Sequence, residues 1–168
     1  MLAIAAPSFN APSETFIRNH VRTIAPGRTV LLCNDGRDVE QFGVPTLSYI
    51  DPWIAPSSFR ERAANAVRYR WRMYARPGLS RADRRRVVAF LTQYKVRALL
   101  AEYGPTGCLL MDACRCAGIP LFVHFHGYDA SLLIRAWHHR RHYRALFRAA
   151  AGVIAPSRFL ADKLLGIG

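Results

Sequence analysis

The sequence predicts an α/β fold in which one doubly wound, mostly parallel sheet is wrapped by helices on both faces. Three observations support this prediction. Short apolar runs alternate with helical patterns along the whole chain, apolar residues make up an ordinary globular 51%, and polar loops follow several of the apolar runs. A chain of 168 residues has material for one sizeable core, so we expect a single domain over residues 1–168.

The apolar runs are the predicted strands. Five runs are clear, and in chain order they are Leu2–Ala6, Thr29–Cys33, Ala98–Glu102, Leu121–His126 and Gly152–Ala155. A weaker sixth candidate lies near Thr46–Tyr49. Parallel strands need crossover connections, and the helical patterns between the runs are long enough to supply them.

The predicted helices have recognisable ends. Gly104-Pro105 places proline at a helix start, and Gly118 closes that helix before Pro120. Ser80 and Ser157 are predicted caps of two further helices, the second running from Arg158 to Leu165. The helix after the first strand opens at Ser13 and Glu14. Its predicted inward residues are Phe16, Ile17, His20, Val21 and Ile24.

Composition argues against several classes of protein. The opening apolar run meets Pro7 and lacks a basic region before it, so we expect no signal peptide. No stretch reaches the roughly 18 apolar residues of a membrane span. The cysteines form no C-x-x-C pair and are interpreted as small buried thiols in a reducing compartment, which predicts a cytoplasmic protein. These four residues are Cys33, Cys108, Cys114 and Cys116.

The net charge of +13 is concentrated in two arginine-rich segments, residues 57–86 and 131–150. Both have helical spacing. They are either solvated faces of amphipathic helices or a surface for a phosphate-rich partner, such as an anionic membrane. The second segment places Tyr143 and Leu146 on an apolar face, and its histidines, His138, His139 and His142, are expected on the solvated face. The residues predicted to face the anionic surface are Arg68, Arg72, Arg84, Arg85, Arg86, Arg141, Arg144 and Arg148.

Ligands of open α/β sheets bind beyond the carboxyl ends of the strands. Four loops of the sequence meet this condition, and they are more polar than plain turns require. They span residues 7–15, 102–106, 124–131 and 156–158. We therefore expect the functional site where these loops meet.

The same loops bear four motifs: PSETFIRNHV at 12–21, LAEYGPTG at 100–107, PLFVHFHGYDAS at 120–131 and VIAPSRFLADKLL at 153–165. In this order and spacing they resemble the amino-terminal, subfamily 4-like domain of the group 1 glycosyltransferases. The resemblance implies a Rossmann-like domain that is one half of a GT-B fold. It covers nearly the whole chain.

The resemblance also implies an activity. Such an enzyme moves a sugar, of hexosyl type, from a nucleotide-sugar to a glycan or lipid-linked acceptor, as in polysaccharide biosynthesis. The nucleotide-sugar is a co-substrate, and no cofactor is expected. Residues 1–168 would be the acceptor-side half, without the carboxy-terminal donor domain. The chain alone would then be incomplete, and the enzyme would be cytoplasmic or peripheral at the inner face of a membrane.

The resemblance assigns the site residue by residue. His126 would reach the transferred sugar, and Asp129 would bind acceptor hydroxyls or act as a base. The substrate-binding candidates are Ser13, Glu14, Thr15, Glu102, Tyr103, Gly104, Gly127, Ser157 and Arg158. The simpler alternatives are a strand-end histidine and helix caps at Asp129 and Ser157. His124 should point the same way as His126, but no carboxylate or cysteine pattern beside it supports a metal, so none is predicted.

Two other functions stay open at this point. A nucleic-acid-binding module could use the arginines and interleaved aromatic residues, but it would leave the polar strand-end loops unexplained, so nucleic acid is disfavoured as a partner. A non-catalytic subunit that pairs with a separate donor-domain chain is the second alternative.

Overall fold

The computed structural model of the chain describes residues 1–9, 15–35, 39–48 and 78–168. Within them lies one sheet of six strands, all parallel, in the order β3-β2-β1-β4-β5-β6. The strands are β1 Leu2–Ser8, β2 Thr29–Asp35, β3 Thr46–Ser48, β4 Ala98–Glu102, β5 Leu121–His124 and β6 Gly152–Ile154. The predicted fold class, an α/β domain with a doubly wound, mostly parallel sheet, is confirmed.

Five α-helices flank the sheet in the described residues: α1 Thr15–Thr23, α2 Arg81–Gln93, α3 Gly104–Ala117, α4 Trp137–Ala149 and α5 Arg158–Leu165. Ser80 caps α2, because its Oγ accepts the Asp83 amide at 3.1 Å, and Ser157 likewise accepts the Leu160 amide at 3.3 Å. Gly118 ends α3 in the left-handed conformation, with φ +67°. These three helix ends were predicted from the sequence.

Alternation along the strands builds a core on each face of the sheet. In β1, Ile4 and Ala6 pack toward α1, whereas Ala3 and Ala5 pack toward the opposite face. The smaller core contains Ile4, Ala6, Phe9, Ile17, Val21, Leu31, Cys33 and Val39. The larger core lies between the sheet and helices α2, α3 and α4. Both faces of the central strands are therefore apolar.

The chain order creates a switch point between β1 and β4. From β1 the chain winds outward through β2 and β3, and then returns to build β4, β5 and β6 on the other side. Connections that leave neighbouring strands in opposite directions open a crevice at their carboxyl ends. Glu102, the last residue of β4, lies at this edge.

Several predicted boundaries are wrong. β5 ends at His124 instead of His126, because the His126 amide donates to Asp129 and turns away from the strand ladder. Ile24 is half exposed, since α1 has already ended at Thr23. The helical spacing over residues 131–150 places Leu132 on the apolar face, but α4 begins only at Trp137, and Leu132 precedes a 3-10 turn and is exposed. The helix predicted within residues 57–76, together with Tyr49, lies outside the described residues.

Burial also corrects two side-chain predictions. His138 and His142 are buried on the inner face of α4, respectively eight and four residues before Leu146, and not on a solvated face. Cys116 is exposed, whereas the other three cysteines are buried as predicted. Burial raises the pKa of Cys108 and of Cys114 to about 12, so these thiols stay protonated and unreactive. Among the described residues, no helix has the length and apolarity needed to cross a membrane.

Candidate functional site at the carboxyl end of the sheet

The site is built around the carboxylate of Glu102, which is completely buried. Three imidazoles surround it. His20 Nδ1 lies 2.6 Å from Oε1, His124 Nδ1 lies 3.2 Å from Oε2, and His126 Nε2 lies 3.0 Å from Oε2. A buried carboxylate at a strand end is thus paired entirely with histidines in the part of the chain that the structure describes.

The fold brings these four residues together from three elements. β4 and β5 are in register with Glu102 beside His124, so the two side chains share the face of the sheet that α1 covers. His126 follows two residues later and lies on the same side. On α1, His20 lies three residues after Ile17 and next to Val21, both of which pack in the core under that helix. The helix therefore turns His20 toward the strand end.

The imidazoles keep Glu102 ionised. Burial alone would raise the pKa of this carboxyl, but its contacts with His124, His126 and His20 outweigh burial and lower the pKa to about 2. At neutral pH Glu102 is therefore a carboxylate and can only accept hydrogen bonds. Each ring nitrogen bonded to it must be protonated and donate.

Aromatic rings hold the His126 imidazole in place. Its ring centroid lies 4.4 Å from that of Phe16 and 4.6 Å from that of Tyr103. Its side chain is 15% exposed, so the ring is held firmly but still reaches the surface of the crevice. No described residue bonds its second ring nitrogen, Nδ1. His126 thus has one nitrogen fixed by Glu102 and one left for a ligand.

Asp129 connects two loops of the site. Its Oδ1 accepts the His126 amide at 2.7 Å, and its Oδ2 accepts the Gly104 amide at 2.7 Å. Burial raises the pKa of Asp129, and these two hydrogen bonds act against the rise. Both oxygens are engaged by backbone amides, so the geometry makes Asp129 a clamp between the loops after β4 and β5. It does not cap α4, which has no side-chain cap.

The backbone after β4 is unusual. Tyr103 has φ +75° and ψ 142°, a conformation that residues other than glycine rarely adopt. Gly104 follows, and a Cβ on it would lie 2.8 Å from ring carbons of both Phe125 and Tyr143. Gly104 is therefore required for close packing of α3. Gly127, in contrast, faces open space, and a Cβ there would meet nothing within 4 Å.

The other candidates lie around the same edge. Thr15 is exposed at the start of α1, and Ser157 and Arg158 are exposed where α5 begins after β6. Ser13 and Glu14 lie outside the described residues. The structure thus brings Glu102, Tyr103 and His126 into contact, whereas no described contact joins Thr15, Ser157 or Arg158 to them.

Only part of the predicted anionic surface is described. Arg85 and Arg86 on α2 and Arg141 and Arg148 on α4 are exposed, and Arg84 is half-buried. Arg144 is also exposed, and its Nε donates to the Ile167 carbonyl at 2.8 Å. Helices α2 and α4 lie on the same face of the sheet, on either side of α3. Arg68 and Arg72 lie outside the described residues.

The role of His20 was not predicted from the sequence, where this residue is one of several inward residues of a helix. The sequence also indicated no carboxylate beside His124. Glu102 is 22 positions away in the sequence but adjacent in the β4–β5 register. A signal was available, because Glu102 ends one predicted strand and His124 lies near the end of the next.

A doubly wound parallel sheet with a polar site at its switch point defines a protein of the Rossmann-like α/β class. Comparison with protein families gives a more specific result: the profile of the glycosyl transferase 4-like domain matches residues 21–168. The chain belongs to this family, which confirms its resemblance to the amino-terminal domain of group 1 glycosyltransferases. A search of curated proteins finds no match.

Proposed function

We propose that this chain is the acceptor-side half of a transferase that moves a hexosyl group from a nucleotide-sugar to a glycan or lipid-linked acceptor. Family membership supplies the reaction class, a glycosyltransferase with sugar donor and acceptor substrates. The observation that supports a site in this chain is the His126 imidazole, fixed by Glu102 and two aromatic rings at the switch point. A second Rossmann-like half outside residues 1–168 would hold most of the nucleotide.

His126 would bind a hydroxyl of the transferred sugar. Because ionised Glu102 only accepts, His126 donates to it from Nε2, and a neutral imidazole then has its lone pair on Nδ1. The Nδ1 atom would accept the hydrogen bond of a sugar hydroxyl. Glu102 is a positioning residue here, since it acts on the sugar only through His126. A fixed imidazole matters most in the transition state, when the position of the ring is critical.

The surrounding residues would complete the acceptor side. Asp129 bridges the two loops through its hydrogen bonds to the His126 and Gly104 amides, and we expect Tyr103 and Gly104 to line the crevice between these loops. Gly127 leaves room for a substrate beside His126. Ser13, Glu14, Thr15, Ser157 and Arg158 would contact substrate from the neighbouring loops. The sugar donor is a co-substrate, and no resident cofactor is needed for this role.

The exposed arginines favour a lipid-linked acceptor over a soluble one. Arg85, Arg86, Arg141 and Arg148 belong to helices on one face of the sheet. A basic face of this kind is attracted to anionic lipid headgroups, by about 1 kcal/mol for each arginine near the surface. We propose that the enzyme binds peripherally to the inner face of a membrane, where a lipid-linked acceptor would be presented.

The test is sugar transfer with the full-length polypeptide, or with this chain combined with its donor-side half. A panel of nucleotide-hexoses and lipid-linked acceptors would be assayed for product. His126→Ala should lower kcat by about 100-fold, because the contact strengthens in the transition state. His139→Ala, on α4 and outside the site, is the matched control and should be nearly unchanged, as should Cys114→Ala.

We expect the His126→Ala variant to be folded, and its circular dichroism spectrum would test this. Near-normal kcat in this variant would remove His126 from the site. Failure of every nucleotide-hexose to yield a product with the wild-type protein would refute the proposed reaction itself.

A further inference from the structure

We propose that His20, Glu102 and His124 form a binding site for a divalent transition-metal ion of the zinc class. One ligand atom from each of these residues lies within 4.8 Å of the other two. The three come from α1, β4 and β5, so the site exists only in the folded domain. The sequence pattern around His124 predicts no metal, because no carboxylate or cysteine pattern lies beside that residue. The fold supplies that carboxylate.

The donor set suits this class of ion. Two imidazole nitrogens and one carboxylate oxygen are ligands that zinc accepts, at about 2.0–2.2 Å each. Ligand atoms around a tetrahedral ion of that size are about 3.4 Å apart. His20 Nδ1 lies 2.6 Å from Glu102 Oε1 and His124 Nδ1 lies 3.2 Å from Oε2, so modest shifts of the three side chains would admit the ion. The metal would replace the hydrogen bonds that hold the three residues together.

The pairing of Glu102 also points to a metal. The chain has 24 lysines and arginines, yet none of those described forms an ion pair with this fully buried carboxylate. All of its described partners are histidines, the one basic side chain that readily gives up its proton to coordinate a cation. Asp129 adds a second buried carboxylate close to His126. Two buried carboxylates therefore lie beside this group of histidines within a basic protein.

An ion could reach this site and keep an open position. The side chains of His20 and His124 are 23% and 15% exposed, so the cluster is covered but not sealed. His126 stays bonded to Glu102 Oε2, and its Nε2 proton orients the carboxylate. With three protein ligands, the fourth position would hold a water molecule or a substrate oxygen, as in open zinc sites.

A second group of histidines provides the comparison. His138, His139 and His142 lie close together on α4, with ring centroids 4.5 Å apart for the first two. Arg140 and Arg141 lie between them in the sequence and oppose a cation. Among the described residues, the grouping that could hold a metal contains His20, Glu102 and His124 and none of these three. A variant at His139 therefore controls for adventitious binding by histidine.

The experiment is Co²⁺ titration of tag-free protein followed by visible absorption, with Zn²⁺ measured by equilibrium dialysis and competition. We expect one ion per chain and the intense absorption of tetrahedral Co²⁺. His20→Gln and His124→Gln should each weaken binding by about 100-fold. Loss of a residue that merely supports a metal ligand typically lowers metal affinity about 10–100-fold, and loss of the ligand itself should lower it at least as much. His139→Gln and Cys116→Ser should bind as the wild type does.

Zn²⁺ should also raise the midpoint of thermal unfolding by about 5 °C, and this rise should be absent in His20→Gln. His20 is the more exposed of the two histidine ligands, so His20→Gln is the variant expected to fold, which circular dichroism would verify. The inference is wrong if wild type and His20→Gln bind Co²⁺ equally, or if neither binds. It is also wrong if binding is lost in His139→Gln or Cys116→Ser. Because no sugar is present, these results are independent of the transferase assay.

Discussion

Two buried carboxylates approach His126, and they differ in what satisfies them. Glu102 is surrounded by imidazole rings, which hold its pKa at about 2 despite burial. Asp129 is satisfied by two backbone amides, and burial raises its pKa because these bonds do not fully offset it. Glu102 therefore organises the side chains of the site, whereas Asp129 fixes the course of the backbone around them. Both are needed for His126 to lie where it does.

Gly104 gives a prediction at the scale of a single residue. A Cβ at this position would lie 2.8 Å from Phe125 Cζ and from Tyr143 Cε1, which is shorter than the van der Waals contact distance of two carbon atoms. Gly104→Ala should therefore lower the free energy of unfolding by about 3 kcal/mol, as overpacking of a tight core does. Urea denaturation monitored by circular dichroism would measure the change.

Gly127→Ala is the matched control, because that glycine faces open space and has no positive φ. Its unfolding free energy should stay within about 0.5 kcal/mol of the wild type. Equal effects of the two substitutions would contradict the packing described around Gly104.

Helix α4 combines a basic outer face with an inner face that is partly polar. His142 is buried beside Tyr143, and within the described residues neither His142 Nε2 nor the Tyr143 hydroxyl has a hydrogen-bond partner. Burial, together with the charges of His139, His138 and Arg141, lowers the pKa of His142 to about 4. The folded domain therefore disfavours protonation of the His142 imidazole.

This makes stability acid-sensitive in a defined window. As pH falls below 6.5, the unfolded chain takes up a proton at His142 that the folded chain takes up only near pH 4. Stability contributed by the neutral ring is thus present above pH 6.5 and is lost between pH 6.5 and 4. The loss reaches at most about 3 kcal/mol.

We expect His142→Phe, measured by urea unfolding at pH 7 and pH 4.5, to lose clearly less stability on acidification than the wild type. At pH 7 the variant should be similar to the wild type or slightly more stable, because it removes a buried nitrogen without a partner. The same loss on acidification in both proteins would show that His142 does not titrate as described.

At the scale of the whole molecule, the topology places the exposed arginines of α2 and α4 together on one face of the sheet. Helices α2 and α4 lie on one face with exposed arginines, whereas α1 lies on the other. The crevice lies between these faces, at the carboxyl ends of the strands. A membrane bound through α2 and α4 would therefore lie to one side of the crevice and would not cover its opening.

The corresponding prediction concerns binding to vesicles. Arg85→Gln combined with Arg141→Gln should weaken co-sedimentation with anionic vesicles by about 30-fold, since each arginine near the surface contributes about 1 kcal/mol. Binding should fall as salt rises. Arg22→Gln, exposed on α1 at the opposite face, is the control and should have little effect.

Equal binding to neutral and anionic vesicles would overturn this orientation, as would an equal effect of the control. Salt-sensitive binding to oligonucleotides without binding to anionic vesicles would favour a nucleic-acid partner instead.

Local physics made much of the fold predictable. The apolar runs of β1, β2 and β4 are buried on both faces. Ser80 and Ser157 start helices by accepting nearby backbone amides, and Gly118 ends one as a single left-handed residue. Errors arose where a distant group intervened. β5 stops short because Asp129 accepts a hydrogen bond from the His126 amide. His142 faces the core because it lies one helical turn before buried Leu146, although its sequence neighbours are polar.

The sequence by itself determined the fold class, the family and the edge of the sheet where the candidate site lies, because periodicity, caps and motif order are written in consecutive residues. Only the tertiary structure decided that Glu102 lies among three histidines. His20 is 82 positions from Glu102, and its contact with that residue depends on how α1 packs across the sheet. His124 meets Glu102 through strand register. Contacts between elements follow from packing and pairing, and no local pattern in the sequence specifies them.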